Sequence, residues 1–129
     1  MQFWDELINE AKKVRNSAYA PFSSYLVGAA IRGKSGKIYV GCNVENSSYG
    51  LTVCAERNAI SAMIAAGETE WTHCAVVTKN SGSPCGACRQ VLAEFTQDFE
   101  NAQVMCCNED GTDRKIWSIA ELIPGVFRL

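Results

Sequence analysis

Histidine is almost missing: the chain of 129 residues has one, His73. That excludes a histidine-rich metal site and an HExxH protease helix. Any Ser-His or Cys-His nucleophile pair would have to use His73. No apolar run approaches the ~20 residues that span a bilayer. The opening segment MQFWDELINEAKK is acidic and amphipathic, without a basic n-region or an apolar h-region, so no signal peptide is expected and a cytoplasmic location follows. An excess of positive charge is lacking as well. Twelve Lys and Arg face 14 Asp and Glu, for a net charge of -2, and no basic run exceeds Lys12-Lys13. Phosphate neutralisation dominates nucleic-acid affinity, so neither nucleic acid nor a membrane is an expected partner. A small neutral or weakly charged ligand suits this composition better. An even set of cysteines is lacking too. The seven stand at 42, 54, 74, 85, 88, 106 and 107. An odd count without a secretion signal argues against a disulfide framework and for metal binding by clustered thiols.

What is present fits one domain over residues 1–129, with 47% hydrophobic residues to fill one core. Phe3, Leu7, Ile8, Ala11, Val14 and Ala18 recur at helical spacing and predict a helix over 2–18, broken by Pro21. The apolar runs 26–31 and 37–43, joined by RGKSGK, predict an antiparallel hairpin. Residues 54–66 predict a helix closed by Gly67 at C′. Then follow a strand over 73–78, a helix over 84–95 and a strand over 102–107. NEDGTDRK is expected as a turn, and SIAELIP as a short last helix closed by Pro124. The alternation of helix and strand predicts a sheet with helices on both faces.

Cys85 and Cys88 have the two-residue separation of a metal-binding pair. With Ser83 as the expected N-cap and Pro84 at N1, both thiols fall in the first turn of a helix. Free N–H groups and the positive end of the helix dipole favour thiolate there. Cys54 repeats the arrangement at the other helix, with Thr52 as the expected cap. Three thiolates suit Zn²⁺ or an iron–sulfur cluster, but a cluster normally takes four cysteines. Zinc on three protein ligands keeps one open position, the mark of a catalytic site. A redox pair or a chance pair on a helix is the alternative for Cys-x-x-Cys taken alone. Glu56 lies two residues from Cys54, so the two can converge only beyond the helix end. A carboxylate there could move protons between a metal-activated water and a substrate. Three thiolates on a divalent ion leave one net negative charge, which Arg57, one turn from Cys54, could balance. On pattern alone Arg57 is equally a solvated helix arginine. By the same token Asn43 and Glu45, in NVEN, read as an exposed turn, Tyr49 and Phe127 as core aromatics, and Cys42, Cys74, Cys106 and Cys107 as small core residues. His73 reads as structural.

CAE followed by PCGAC resembles the zinc signature of the cytidine deaminase superfamily. AYAPFSSYLVGAA, GCNVENSSYGLTVCAERNAI, SPCGACRQVLAEF and ELIPGVF follow in the order of its small homotetrameric members, so the resemblance runs from about Ala18 to Phe127. It implies a three-layer α/β/α sandwich with a mixed five-stranded sheet. It implies one Zn²⁺ per subunit on Cys54, Cys85 and Cys88, with Glu56 as the catalytic proton shuttle. The implied reaction is hydrolytic deamination of cytidine and 2′-deoxycytidine to uridine and 2′-deoxyuridine, with loss of ammonia, in pyrimidine salvage. The Ala55 amide and the Ser83 carbonyl would hold the base, and Asn43 and Glu45 the ribose. Tyr49 and Phe127 would complete a neighbouring subunit's pocket in a homotetramer. Tyr25 stands where the family usually has Phe, and Ser47 where it often has Ala. Both are expected near the pyrimidine or its sugar, and they leave a modified pyrimidine nucleoside or a nucleoside antibiotic as the alternative substrate. A nucleic-acid editing enzyme would betray itself by salt-dependent binding to single strands. A non-catalytic zinc-stabilised module would do so by indifference to loss of Glu56.

Overall fold

The segment WTHCAVV alternates its side chains between two faces, and both faces find apolar partners. In the computed structural model, which describes residues 2–129, it is the middle strand of a five-stranded sheet. Met1 of the expected domain lies outside the described residues. Helix α1 (Gln2–Arg15) precedes the hairpin of β1 (Gly28–Gly33) and β2 (Ile38–Cys42). Helix α2 (Ala55–Ala65), β3 (Trp71–Val77), α3 (Gly86–Glu94) and β4 (Gln103–Cys107) follow, then β5 (Arg114–Ser118) and α4 (Ile119–Leu122). The sheet order is β2-β1-β3-β4-β5. Only β3 and β4 are parallel, with α3 as their crossover, so the sheet is mixed.

Three layers result. On one face Trp4, Leu7, Ile8 and Ala11 of α1 pack against Ala30, Ala75, Val77, Met105 and Cys107. On the other, Ala55, Ala59, Ile60 and Met63 of α2, with Leu92 and Ala93 of α3, pack against Ala29, Ile31, Cys74, Val76, Val104 and Cys106. Cys106 and Cys107 therefore serve opposite faces of β4 as small core residues, Cys74 is buried with the former, and Cys42 is half-buried. His73 stands in β3 with its ring edge-on to Phe3 and Trp4, at 4.6 and 5.4 Å between centroids, which is a packing role.

Four expectations about the elements need correction. Helix α1 ends at Arg15, not Ala18, and its buried aromatic is Trp4 while Phe3 is 48% exposed. Arg114 and Lys115 do not belong to a turn; they open β5, an edge strand whose outward charges discourage further pairing. Helix α2 takes Cys54, not Thr52, at its N-cap; the Thr52 hydroxyl instead accepts the Asn46 N–H at 3.2 Å. Helix α3 takes Cys85, not Ser83, at its N-cap, so Pro84 stands before the helix rather than at N1. The expected end of α2 holds. Gly67, at φ +92°, donates to Ile64 O, and Glu68 N–H to Met63 O, which closes a Schellman motif.

The seating of α2 on β2 fixes the start of that helix in space. A Cβ at Gly41 would overlap backbone atoms of Ala55, Asn58 and Ala59, so only glycine lets the first turn of α2 lie flat on the strand. The Asn58 side-chain amide adds a 2.8 Å bond to Cys42 O. Cys54 and Glu56 are held by that contact.

Candidate metal centre and active site

Helices α2 and α3 begin beside one another, with their starts brought together in space. Cys54 and Cys85 occupy the two N-cap positions with extended backbone, and Cys88 lies at N3 of α3. Their sulfur atoms all lie within 4.8 Å of one another, with Cys54 and Cys85 3.9 Å apart. Thiolates tetrahedrally placed about 2.3 Å from zinc would be about 3.8 Å apart, so the donor set fits a single zinc ion. The Cys88 N–H already points at Cys85 Sγ, at 3.5 Å. The unpaired N–H groups of two helix starts add positive potential to the same spot.

A cation adjoins the sulfurs from one side. The half-buried Arg57 donates from its guanidinium to Cys54 Sγ at 3.2 Å. Cys54 is pulled down to about 5, first by the Cys88 thiol donating to it and then by Arg57. Cys88 moves the opposite way, because its proton is the one shared with Cys54 and because it is buried. The two sulfurs titrate as a pair, and a metal ion that takes both as thiolates displaces the proton they retain.

Glu56 turns into the space in front of the sulfurs. It is 4% exposed, and its carboxyl is raised to about 7, chiefly by burial and further by the Cys54 charge, against its own backbone N–H and Arg57. A carboxyl poised near neutrality can both accept and donate a proton at working pH.

Cys54, Cys85 and Glu56 line a cavity of about 280 Å³. Tyr25, Asn43, Glu45, Ala55 and Ser83 line it with Cys54, Glu56 and Cys85, joined by Ser23, Val27, Thr52, Val76, Thr78 and Gly82. Asn43 is not an exposed turn residue. It is 7% exposed, accepting from Val27 N–H at 2.9 Å and donating to Tyr25 O at 2.8 Å. Those two bonds orient its amide. Glu45 accepts from the Ser23 hydroxyl and from the N–H groups of Phe22 and Ser23, at 2.9 and 3.2 Å. These bonds, the Ser23 hydroxyl foremost, hold its carboxyl below the ordinary value, so it is a charged acceptor at neutral pH.

Three expected site residues stand apart from the cavity of their own chain. Ser47 is exposed in the loop after β2 and does not line it. Tyr49 and Phe127 are 76% and 69% exposed, which overturns the core-packing reading of both. Tyr49 meets Phe22 edge-on, with centroids 6.0 Å apart, over a shallower hollow that shares Ser23, Glu45 and Thr52 with the cavity.

Arg89 is a site residue that spacing did not reveal. From α3 it donates to Pro84 O and Leu122 O, both at 2.8 Å, and to the Ser83 hydroxyl at 3.2 Å. It pins the segment carrying Ser83 and Cys85 to the C-terminal helix. Gln90 extends the tie, donating to Phe127 O at 2.9 Å. A basic residue directly after the second thiol was the only signal available. Nothing local says that its side chain reaches back over the helix start.

Fold and site define a class: an α/β/α protein with a three-thiolate centre at paired helix starts and a buried carboxyl beside it. Residues 1–106 match the family described as cytidine and deoxycytidylate deaminase zinc-binding region, and the chain belongs to that family. A cytidine deaminase of Sporosarcina psychrophila is 45% identical over 125 residues, covering 95% of this chain and 90% of the relative. One from Halalkalibacterium halodurans is 44% identical over 123 residues, covering 94% and 91%. The crystal structure of a cytidine deaminase from Burkholderia pseudomallei superposes with a TM-score of 0.88 at 43% identity, covering 95% of this chain and 97% of that one. The five-stranded mixed sheet and the zinc-binding cysteine cluster are thus features of the family as well as of this chain.

Proposed function

We propose that residues 1–129 form one catalytic domain that hydrolyses cytidine and 2′-deoxycytidine to uridine and 2′-deoxyuridine with release of ammonia. The observation that carries this is the buried carboxyl of Glu56 beside the Cys54–Cys85–Cys88 centre at a nucleoside-sized cavity. Zinc held by the three thiolates would supply a water acidic enough to lose its proton near neutral pH. Glu56 takes that proton and delivers it to N3 of the cytosine as oxygen adds at C4, then takes the second proton from the hydroxyl now on C4 and passes it to the amino group, which leaves as ammonia. The balance is cytidine plus water to uridine plus ammonia, and Glu56 ends as it began. The Ala55 N–H, free at the first turn of α2, and the Ser83 carbonyl are suited to hold the base. Asn43 and Glu45 are suited to hold the ribose hydroxyls, with Glu45 charged and braced by Ser23.

The cavity favours a nucleoside over its 5′-phosphate. Two carboxylates, Glu45 and Glu56, line it, and no Lys or Arg does. Placing a phosphate beside like charge costs several kcal/mol, so turnover of deoxycytidylate is expected to fall at least about 100-fold below that of cytidine. Following the ultraviolet change on deamination of each substrate by zinc-loaded protein checks this. Preference for the phosphate overturns the nucleoside assignment, and tenfold or greater preference for a ring-modified nucleoside moves the reading to the alternative substrate class.

We also propose a homotetramer in which Tyr49 and Phe127 complete neighbouring pockets. Their exposure supports it, as does a largely apolar hollow at α2 and α3, where Ile60, Ile64 and Val91 are joined by Val53, Phe95 and Arg57. The active species is expected to sediment as a tetramer, and an active monomer in analytical ultracentrifugation would remove the shared pocket. A cytoplasmic setting in pyrimidine salvage accords with seven free thiols, and no helix among the described residues is long and apolar enough to cross a membrane.

A further inference from the structure

Two loops form facing walls at the mouth of the cavity. Residues 22–26 lead into β1 and carry Ser23 and Tyr25; residues 78–85 leave β3 and carry Gly82, Ser83 and Cys85. Each loop contains one serine in the left-handed region, Ser24 at φ 59° and Ser81 at φ 60°. Non-glycine residues keep that conformation where their surroundings fix it. Ser81 is fixed by its hydroxyl, which bonds the Asp113 carbonyl at 3.0 Å and its carboxylate at 2.8 Å. The Thr78 hydroxyl accepts the Gly82 N–H at 2.9 Å.

Between the two walls, the one side-chain hydrogen bond among the described residues runs from the Tyr25 hydroxyl to Asn80 Oδ1, at 2.7 Å. Lys79 and Gly82 both flank the Tyr25 side chain. Lys79 Nζ lies 5.8 Å over the Tyr25 centroid, and a Cβ at Gly82 would come within 2.6 Å of the Tyr25 hydroxyl. The hydroxyl therefore rests on the glycine backbone, and its proton is committed to Asn80 rather than offered to a ligand.

We propose that Tyr25 and Asn80 are positioning residues: their hydrogen bond latches the two loops and sets the width of the mouth that a pyrimidine nucleoside enters. The proposal rests on the nucleoside deaminase reading and assigns a role to the hydroxyl that phenylalanine would lack. Without the latch the 79–83 segment must be reordered by each incoming substrate, which weakens binding. Glu56 and the metal ligands stay in place on α2 and α3, so chemistry after binding suffers less.

The test is steady-state kinetics on cytidine with wild type, Tyr25→Phe, Asn80→Ala, Asn80→Asp and the Tyr25→Phe/Asn80→Ala double variant, with zinc content and melting temperature measured for each. One hydrogen bond of this kind corresponds to a factor of about three to ten in an equilibrium constant. Tyr25→Phe and Asn80→Ala are each expected to raise KM by about that factor, with a smaller effect on kcat and zinc retained. The double variant should be no worse than either single one, because both remove the same bond. Asn80→Asp keeps an acceptor oxygen and should stay near the wild-type KM. A purely structural role would lower the melting temperature and leave KM alone. The latch is overturned by unmoved KM in both single variants, by effects that multiply in the double variant, or by Asn80→Asp behaving like Asn80→Ala. Wild type that leaves cytidine intact would instead sink the deaminase reading, and the latch with it.

Discussion

Glu56→Gln is expected to fold, to hold one zinc per chain, and to lose turnover on cytidine by about 10⁴-fold, the upper end of what a positioned acid–base group contributes. The argument is one of shape against charge. Glutamine fills the same volume among the same neighbours, so the first turn of α2 and its seat on Gly41 are undisturbed. Glutamine also needs no ionisation, whereas burial opposes the charged form of Glu56 and holds its carboxyl near 7. The melting temperature should therefore not fall. What disappears is the ability to take a proton and return it. Loss of rate with zinc and stability kept isolates that function. Full activity in the variant would show the proton path to lie elsewhere, and loss of zinc would show Glu56 to be part of the metal scaffold. Alanine is a poorer probe, because it opens a cavity beside the sulfurs and mixes a packing effect with a chemical one.

The metal centre was legible because its signal is local. Cys-x-x-Cys at a helix start, and a thiol with a carboxyl two residues on at another, are short patterns whose chemistry follows from where free N–H groups point. The layers were legible for a similar reason: β3 and β4 are buried on both faces and read as near-continuous apolar runs, and α2 and α3 alternate with them. Strand β5 escaped because an edge strand opened by Arg114 and Lys115 after a polar turn carries little apolar signal; the fifth strand came only with the family resemblance. Trp4 and Phe3 were confused because adjacent aromatics at a helix start differ by only 100° of rotation. The caps were misassigned because Ser and Thr are the usual caps, whereas here metal-ligating cysteines take those positions. Arg89, Asn80 and the Ser23–Glu45 pair were invisible for a different reason. Their meaning lies in partners brought close by the sheet, 55 residues apart for Tyr25 and Asn80 and 33 for Arg89 and Leu122. Tyr49 and Phe127 are a further case: their exposure appears only in the folded chain, and pattern alone had assigned both to the core.

Cys85→Ala is expected to release the metal, abolish deamination and lower the melting temperature together. Two ligands, Cys54 and Cys88, remain, and two thiolates do not make a closed or a three-ligand zinc site. The lost stabilisation follows from mass action. A ligand present at a thousand times its Kd contributes about 4 kcal/mol to the native state, or about 10–15 °C in a chain of this size. Cys85 also caps α3 by accepting the Cys88 N–H, so part of the loss could come from the helix rather than the ion. Chelator-treated wild type separates the two contributions. If it melts with Cys85→Ala, the ion accounts for the whole loss; if it melts higher, the difference belongs to the cap, and Cys85→Ser, which keeps an acceptor at that position, should recover it without recovering zinc. Stoichiometric zinc in Cys85→Ala would exclude the three-thiolate centre. Because Cys54 and Cys85 start α2 and α3 beside one another, the same ion that would activate water for Glu56 would also tie the two helix starts together, so removing the ion should loosen that end of the fold before any other.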